Sequence, residues 1–182
     1  MTPEFKPWPK IARLNRDIVI TEKIDGTNAA VGVTEDGEVY AQSRTRIITP
    51  ESDNFGFAAW VSANTDALRG ILGPGLHFGE WWGSGIQRGY GLPPGERRFS
   101  LFNTSKWRDV EPLLHCVPIL YEGPFNLGRI SEAIFDLRVH GSYAAPFMNP
   151  EGIVVFHTAA NTMFKVTLMN DEAPKSVVRG AQ

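Results

Sequence analysis

Apolar positions along the chain fall mostly in short runs, separated by glycine, proline and polar clusters. Residues 18–20, 29–33 and 38–42 read as strands. Glu35-Asp36-Gly37 marks a hairpin between the last two, because Asp-Gly supplies the positive φ angles of a tight turn. Residues 76–80, 99–102, 117–121, 152–157 and 163–168 read as further strands. Two stretches keep a helical period instead. Phe57, Val61, Leu68 and Ile71 form one stripe, with Ser52, Asp53 or Asn54 as candidate caps and Gly70 or Gly73 as a stop. Ile130, Ile134 and Leu137 form another, closed by Gly141. The pattern predicts an α+β fold with mostly antiparallel sheets and flanking helices. No repeat, low-complexity tract or linker-like segment divides the chain, so residues 1–182 are expected to form a single domain.

Composition narrows this little. The chain has 182 residues, 42% hydrophobic and 21% charged, which is ordinary for a globular protein. Cys116 is its only cysteine, so no internal disulfide forms, which fits a reducing compartment. There is no signal-peptide pattern and no apolar stretch near ~20 residues, so the expectation is a cytoplasmic protein with no membrane partner. The net charge of −2 means that any basic surface for nucleic acid must be local.

The chemistry is concentrated at the ends of the predicted strands. Glu22-Lys23-Ile24-Asp25-Gly26-Thr27-Asn28 places a lysine between two carboxylates, just before a glycine turn. Taken alone, Lys23 is an ordinary solvated lysine. A lysine presented at a strand end is also a candidate nucleophile for the α-phosphorus of a nucleotide, which would give a lysine–nucleotide phosphoramidate. The further segments are Ser43-Arg44-Thr45-Arg46, Phe78-Gly79-Glu80-Trp81-Trp82-Gly83, Phe99-Ser100-Leu101-Phe102, Glu151-Gly152-Ile153-Val154-Val155 and Phe164-Lys165-Val166. In order they supply a nucleophile, an arginine, an acid, an aromatic, an acid and a lysine. Nucleotidyl transfer needs these groups: an amine, positive charge for phosphate, carboxylates for a divalent metal and an aromatic face for the base. The amine must be neutral to attack, and a second cation nearby favours that form; Lys165 is the candidate. Mg²⁺ needs only one or two carboxylates besides phosphate and water, and Glu80 and Glu151 are the candidates. Phe99 and Phe102 compete for the base, since strand alternation puts them on opposite faces. Arg44 and Arg46 compete for phosphate, which suits the planar guanidinium fork. Arg88, Arg97 and Arg98 read equally as a groove for a nucleic-acid backbone or as solvated loop residues. The four histidines are isolated and no Walker P-loop is present.

These motifs, in this order, resemble the covalent nucleotidyltransferase superfamily of ATP-dependent polynucleotide ligases and messenger-RNA capping enzymes. The likeness runs from about Lys10 to Lys175 and is greatest to the RNA-ligase branch, whose first motif reads Glu-Lys-x-x-Gly-Thr-Asn. The resemblance implies an ATP-grasp-like nucleotidyltransferase domain that uses ATP and Mg²⁺ or Mn²⁺. Lys23 is then the adenylated nucleophile, and Lys165 contacts the α-phosphate. Glu151 holds the metal. Glu22 lies near the adenine amino group, Glu80 on the ribose and Phe99 on the purine. Arg44 approaches phosphate or ribose, and Asn28 orients phosphate or the nucleic-acid end. Asp25 and Gly26 complete the nucleotide-binding turn. The implied partners are nucleic-acid ends, RNA first and DNA second, with the chain acting as a monomer or beside a partner protein. Asp25 departs from the RNA-ligase branch toward DNA ligases and capping enzymes. Thr167 stands where a second basic residue is common, with Lys175 as a possible substitute, and no C-terminal OB-type domain is expected before Gln182. A GTP-using guanylyltransferase and a non-catalytic nucleotide-binding or nucleic-acid-binding module are the alternatives.

Overall fold

The computed structural model describes residues 3–108, 112–169 and 171. Two sheets form the frame. The first has four strands: β1 (Asp17–Lys23), β8 (Ile119–Pro124), β9 (Gly152–His157) and β10 (Thr162–Thr167), in the order β10-β9-β1-β8 and antiparallel throughout. The second has six: β2 (Thr27–Val33), β3 (Val39–Ser43), β4 (Ile47–Ile48), β5 (Gly75–Gly83), β6 (Arg97–Leu101) and β7 (His115–Cys116), in the order β4-β3-β2-β5-β6-β7. Only β6 and β7 run parallel.

Each sheet buries one face under helices. Ile18, Ile20, Ile153 and Val155 pack with Ala133 and Leu137 of α3 (Leu127–His140). Val31, Trp81, Phe99 and Leu101 pack with α1 (Phe57–Ala63) and α2 (Thr65–Leu72) through Phe57, Val61, Leu68 and Leu72. A third cluster, Ile24, Trp82, Tyr90, Val117 and Ala145, joins the sheets where β1 turns into β2. The helix-free faces therefore meet at that turn. Among the described residues no helix is long and apolar enough to cross a membrane.

The predicted elements recur with two differences. The stripe from Phe57 to Ile71 is two helices, because Asn64 leaves helical geometry at φ −120° and donates its amide to the Trp60 carbonyl at 2.7 Å. Of the candidate caps, the Asp53 carboxylate meets the helix, accepting from the N–H groups of Ala58 (2.8 Å) and Ala59 (3.0 Å). The expected strand at 117–121 starts only at Ile119, as β8, with Val117 and Pro118 falling between β7 and β8. Pro118 has no N–H for a ladder, and its carbonyl accepts from Glu22 N–H at 2.9 Å beside the register shift between Ile20 and Thr21.

Candidate active site

Lys23 ends β1 on the helix-free face, because alternation sends Ile18, Ile20 and Glu22 to the α3 side. Its Nζ lies 2.5 Å from Glu151 Oε2, and Glu151 is buried at the mouth of β9. The register explains the meeting: Lys23 pairs with Gly152, the next residue along from Glu151. Gly152 has φ +154°, and a Cβ there would come within 2.1 Å of the Val166 carbonyl oxygen. Only glycine lets β10 close on β9 at this point. Lys165 is exposed on the Lys23 face. It pairs with Val154, which pairs with Thr21, so the two lysines are offset by two residues across three strands.

The second sheet contributes Glu80. Its Oε1 accepts from Gly26 N–H at 3.0 Å and its Oε2 from Asn28 Nδ2 at 3.2 Å. A Cβ on Gly26 would sit 2.4 Å from the Trp81 carbonyl oxygen, so glycine is what lets the turn lie against β5. Burial pushes the Glu80 carboxyl up to about 7; Lys23 and the Gly26 N–H pull the other way, while Glu151 and Asp25 add to the rise. The two acids, the lysine and the turn thus form one electrostatic unit drawn from both sheets.

Arg88 fastens this unit. Its Nε donates to Asp25 Oδ2 at 3.0 Å, and its Nη1 donates to the carbonyl oxygens of Asn149 (2.9 Å) and Pro150 (3.2 Å). One guanidinium therefore ties the turn after Lys23 to the segment before Glu151. Tyr90 Oη accepts from Asp25 N–H at 3.0 Å, and burial raises the pKa of that hydroxyl. Sequence reasoning left Arg88 undecided, because its partners lie 61 to 63 residues away along the chain. Asp25 opposite an arginine was the available signal.

Two expected site residues are corrected. Phe99 is fully buried, 5.1 Å from the Phe57 ring, on the α1 side of β6, so it packs the core and cannot stack on a base. Alternation puts Phe102, 40% exposed, on the Glu80 side, with its N–H bonded to the Phe78 carbonyl. Glu22 is 1% exposed and points away from Lys23. Its carboxylate accepts from Ser142 Oγ (2.6 Å) and from the N–H groups of Tyr143 (2.8 Å) and Ala144 (3.2 Å), which anchors the loop after α3. Burial raises its pKa, and those three bonds oppose the rise.

The arginines divide similarly. Arg44 is exposed just beyond β3, whereas Arg46 Nη1 is spent on Ser52 Oγ at 2.9 Å. Arg97 bonds the carbonyls of Ser84 and Phe55, and Arg98 pairs with Glu96 over the Trp82 ring. Thr167 bonds Asp171 through its N–H at 2.7 Å. Lys175 lies outside the described residues. A cavity of about 360 Å³ opens beside this unit, between Trp82, Ser100, His115 and Tyr143, without reaching the Lys23 amine.

The donor set suits a hard divalent ion. Glu151 offers a buried carboxylate oxygen at a strand mouth, and Mg²⁺ takes one or two carboxylates and completes its shell with phosphate and water. Among the described residues no three or more His, Cys, Asp or Glu side chains are grouped so that they alone could hold a metal ion.

Comparison with known proteins agrees with this fold. An RNA ligase of Naegleria gruberi, solved as a point mutant with AMP and Mn, superposes with a TM-score of 0.60 at 18% identity, covering 85% of this chain and 50% of that one. A second mutant of that ligase, with ATP and Mn, gives 0.58 at 17%, covering 84% and 49%. An archaeal ATP-dependent RNA ligase gives 0.58 at 17%, covering 90% and 48%. The chain thus spans about half the length of these structures, with which it shares the fold. A search of curated proteins found no match. The family model for RNA ligase matches residues 16–167, most of the 182-residue chain, and the chain belongs to the RNA ligase family.

Proposed function

We propose that the chain is the nucleotidyltransferase unit of an ATP-dependent RNA ligase, with Lys23 as the covalent nucleophile. The observation that carries this reading is the Lys23 amine held against the buried Glu151, with Glu80 across the turn. Lys23 Nζ, once released from Glu151 and deprotonated, attacks the α-phosphorus of ATP. The N–P bond forms as the bond from the α-phosphorus to the bridging oxygen breaks, and pyrophosphate leaves. A 5′-phosphate oxygen of a nucleic-acid end then takes the adenylyl group and returns the amine. A 3′-hydroxyl displaces AMP and closes the phosphodiester.

Placement in the fold and the family resemblance support the following assignments. Lys165 and Arg44 present positive charge to phosphate, Phe102 offers its face to the purine, and Asn28 and Glu80 meet ribose or phosphate. Glu151 is the ligand for Mg²⁺ or Mn²⁺, which when bound supplies charge neutralisation on the phosphates. Asp25 and Gly26 set the turn through Arg88 and Glu80. Positioning and electrostatics carry most of the rate enhancement in such chemistry. The single cysteine fits a cytoplasmic setting.

The test is a chase. Protein incubated with ATP and Mg²⁺ gains one AMP by intact mass, and a nicked duplex with a 5′-phosphate and an RNA 3′-hydroxyl discharges it into sealed strand. A gain of GMP from GTP, with none from ATP, would instead establish a capping-type guanylyltransferase.

A further inference from the structure

The segment ahead of β1 packs on nothing. Residues 3–13 form neither helix nor strand, and all are exposed. Phe5 is 85% exposed and Trp8 and Ile11 87% each, where large apolar side chains are normally covered. These three and Leu14 recur at every third residue, as do Lys10, Arg13 and Arg16 one register away. Pro3, Pro7 and Pro9 favour polyproline II, whose three-residue turn puts each set on its own edge. With Lys6 added and Glu4 the only acid, residues 3–16 carry +3, against −2 for the whole chain.

The arm is anchored at its base. The His157 ring, 4% exposed, donates from Nε2 to the Leu14 carbonyl at 2.8 Å and accepts from Ala160 N–H at Nδ1. Phe125 N–H bonds the Arg16 carbonyl. The next residue opens β1, the strand that ends in Lys23. Six strand steps separate the anchor from Lys23, roughly 20 Å. Eleven residues of polyproline II reach about 34 Å. The arm therefore spans the distance to the nucleophile.

We infer that residues 3–16 are a binding arm for single-stranded nucleic acid, with Phe5 and Trp8 stacking on bases and Lys10, Arg13 and Arg16 pairing with phosphates. Aromatic platforms beside a line of cations are what sequence-tolerant strand binding needs. The charge decides the class of partner, since this basic stretch stands on an otherwise acidic chain. The inference deepens the proposed function, because it says how a nucleic-acid end is held near Lys23.

The experiment compares the full chain with F5A/W8A and K10Q/R13Q/R16Q, using a fluorescent 5′-phosphorylated oligoribonucleotide over a range of salt. The aromatic variant, which loses two stacking platforms, should bind about thirtyfold more weakly or worse. The basic variant should flatten the slope of log affinity against log salt by about 2. Adenylation by ATP alone should match wild type in both. Unchanged affinity and slope would overturn the arm. So would wild-type self-association, or binding to anionic vesicles, that depends on the arm while oligonucleotide affinity does not. A wild-type chain that never adenylates would sink the proposed function, and the binding comparison would still decide the arm.

Discussion

Replacing Glu80 with glutamine should stabilise the protein at pH 8 and destabilise it by about 1 kcal/mol at pH 4.5. The Glu80 side chain is 7% exposed, and its carboxyl is raised from 4.5 to about 7, chiefly by burial. Below pH 4.5 the folded and unfolded chains both hold the proton. Between 4.5 and 7 the folded protein keeps a proton that the unfolded chain has released, so stability falls as pH rises. Above 7 the buried anion costs roughly 3 kcal/mol, at 1.36 kcal/mol per pKa unit. Glutamine removes that cost. Its oxygen keeps the Gly26 N–H bond, but its amide cannot accept from Asn28, a loss of about 1 kcal/mol. The net gain at pH 8 is about 2 kcal/mol, or roughly 4–8 °C in melting temperature for a domain of this size. Thermal or urea unfolding of wild type and E80Q, at several pH values without nucleotide, reads the difference directly. A stability difference that stays flat from pH 4.5 to 8 would refute the reasoning. So would a difference that grows as pH falls. The strain is accepted because the acid faces Lys23 at the site.

The other substitutions separate positioning from binding and packing. Arg88→Ala leaves Asp25 and the carbonyls of Asn149 and Pro150 without their guanidinium; it should cost about 2 kcal/mol in urea unfolding and slow self-adenylation more than it weakens ATP binding. Arg88→Lys should recover only part, because a single ammonium cannot span both segments. Phe99→Ala should lose about 3–5 kcal/mol of stability from the α1-side core. Phe102→Ala should unfold near wild type but bind ATP several-fold more weakly, as read by calorimetry; the reverse outcome would restore Phe99 to the base.

Much of the fold is legible in the sequence because its strands carry period-2 patterns and its turns carry Asp-Gly or lone glycines. Lys23 ends β1 and Glu151 adjoins β9, and their register brings them together, whereas Glu80 lies within β5 and Lys165 within β10 on the Lys23 face. The misreadings have physical causes. Phe99 and Phe102 differ only in which face of β6 covers α1, and that follows from sheet order. The resemblance implied that Glu22 lies near the adenine, yet neighbours on a strand point to opposite faces, and Glu22 turns to the α3 side. Its partners, Ser142, Tyr143 and Ala144, are some 120 residues away. Arg88 was undecided for the same reason of distance. Asn64 broke the helix through its own side chain, a local competition that apolar periodicity does not register.

The central claim is that Lys23 forms a covalent bond to AMP. The direct measurement incubates wild-type and K23A protein, each stripped of nucleotide and shown to be folded, with α-labelled ATP and Mg²⁺, and then denatures it. The account predicts acid-labile label on the wild-type chain and none on K23A. Label on K23A at the wild-type level would contradict it, as would no label on folded wild type with either ATP or GTP.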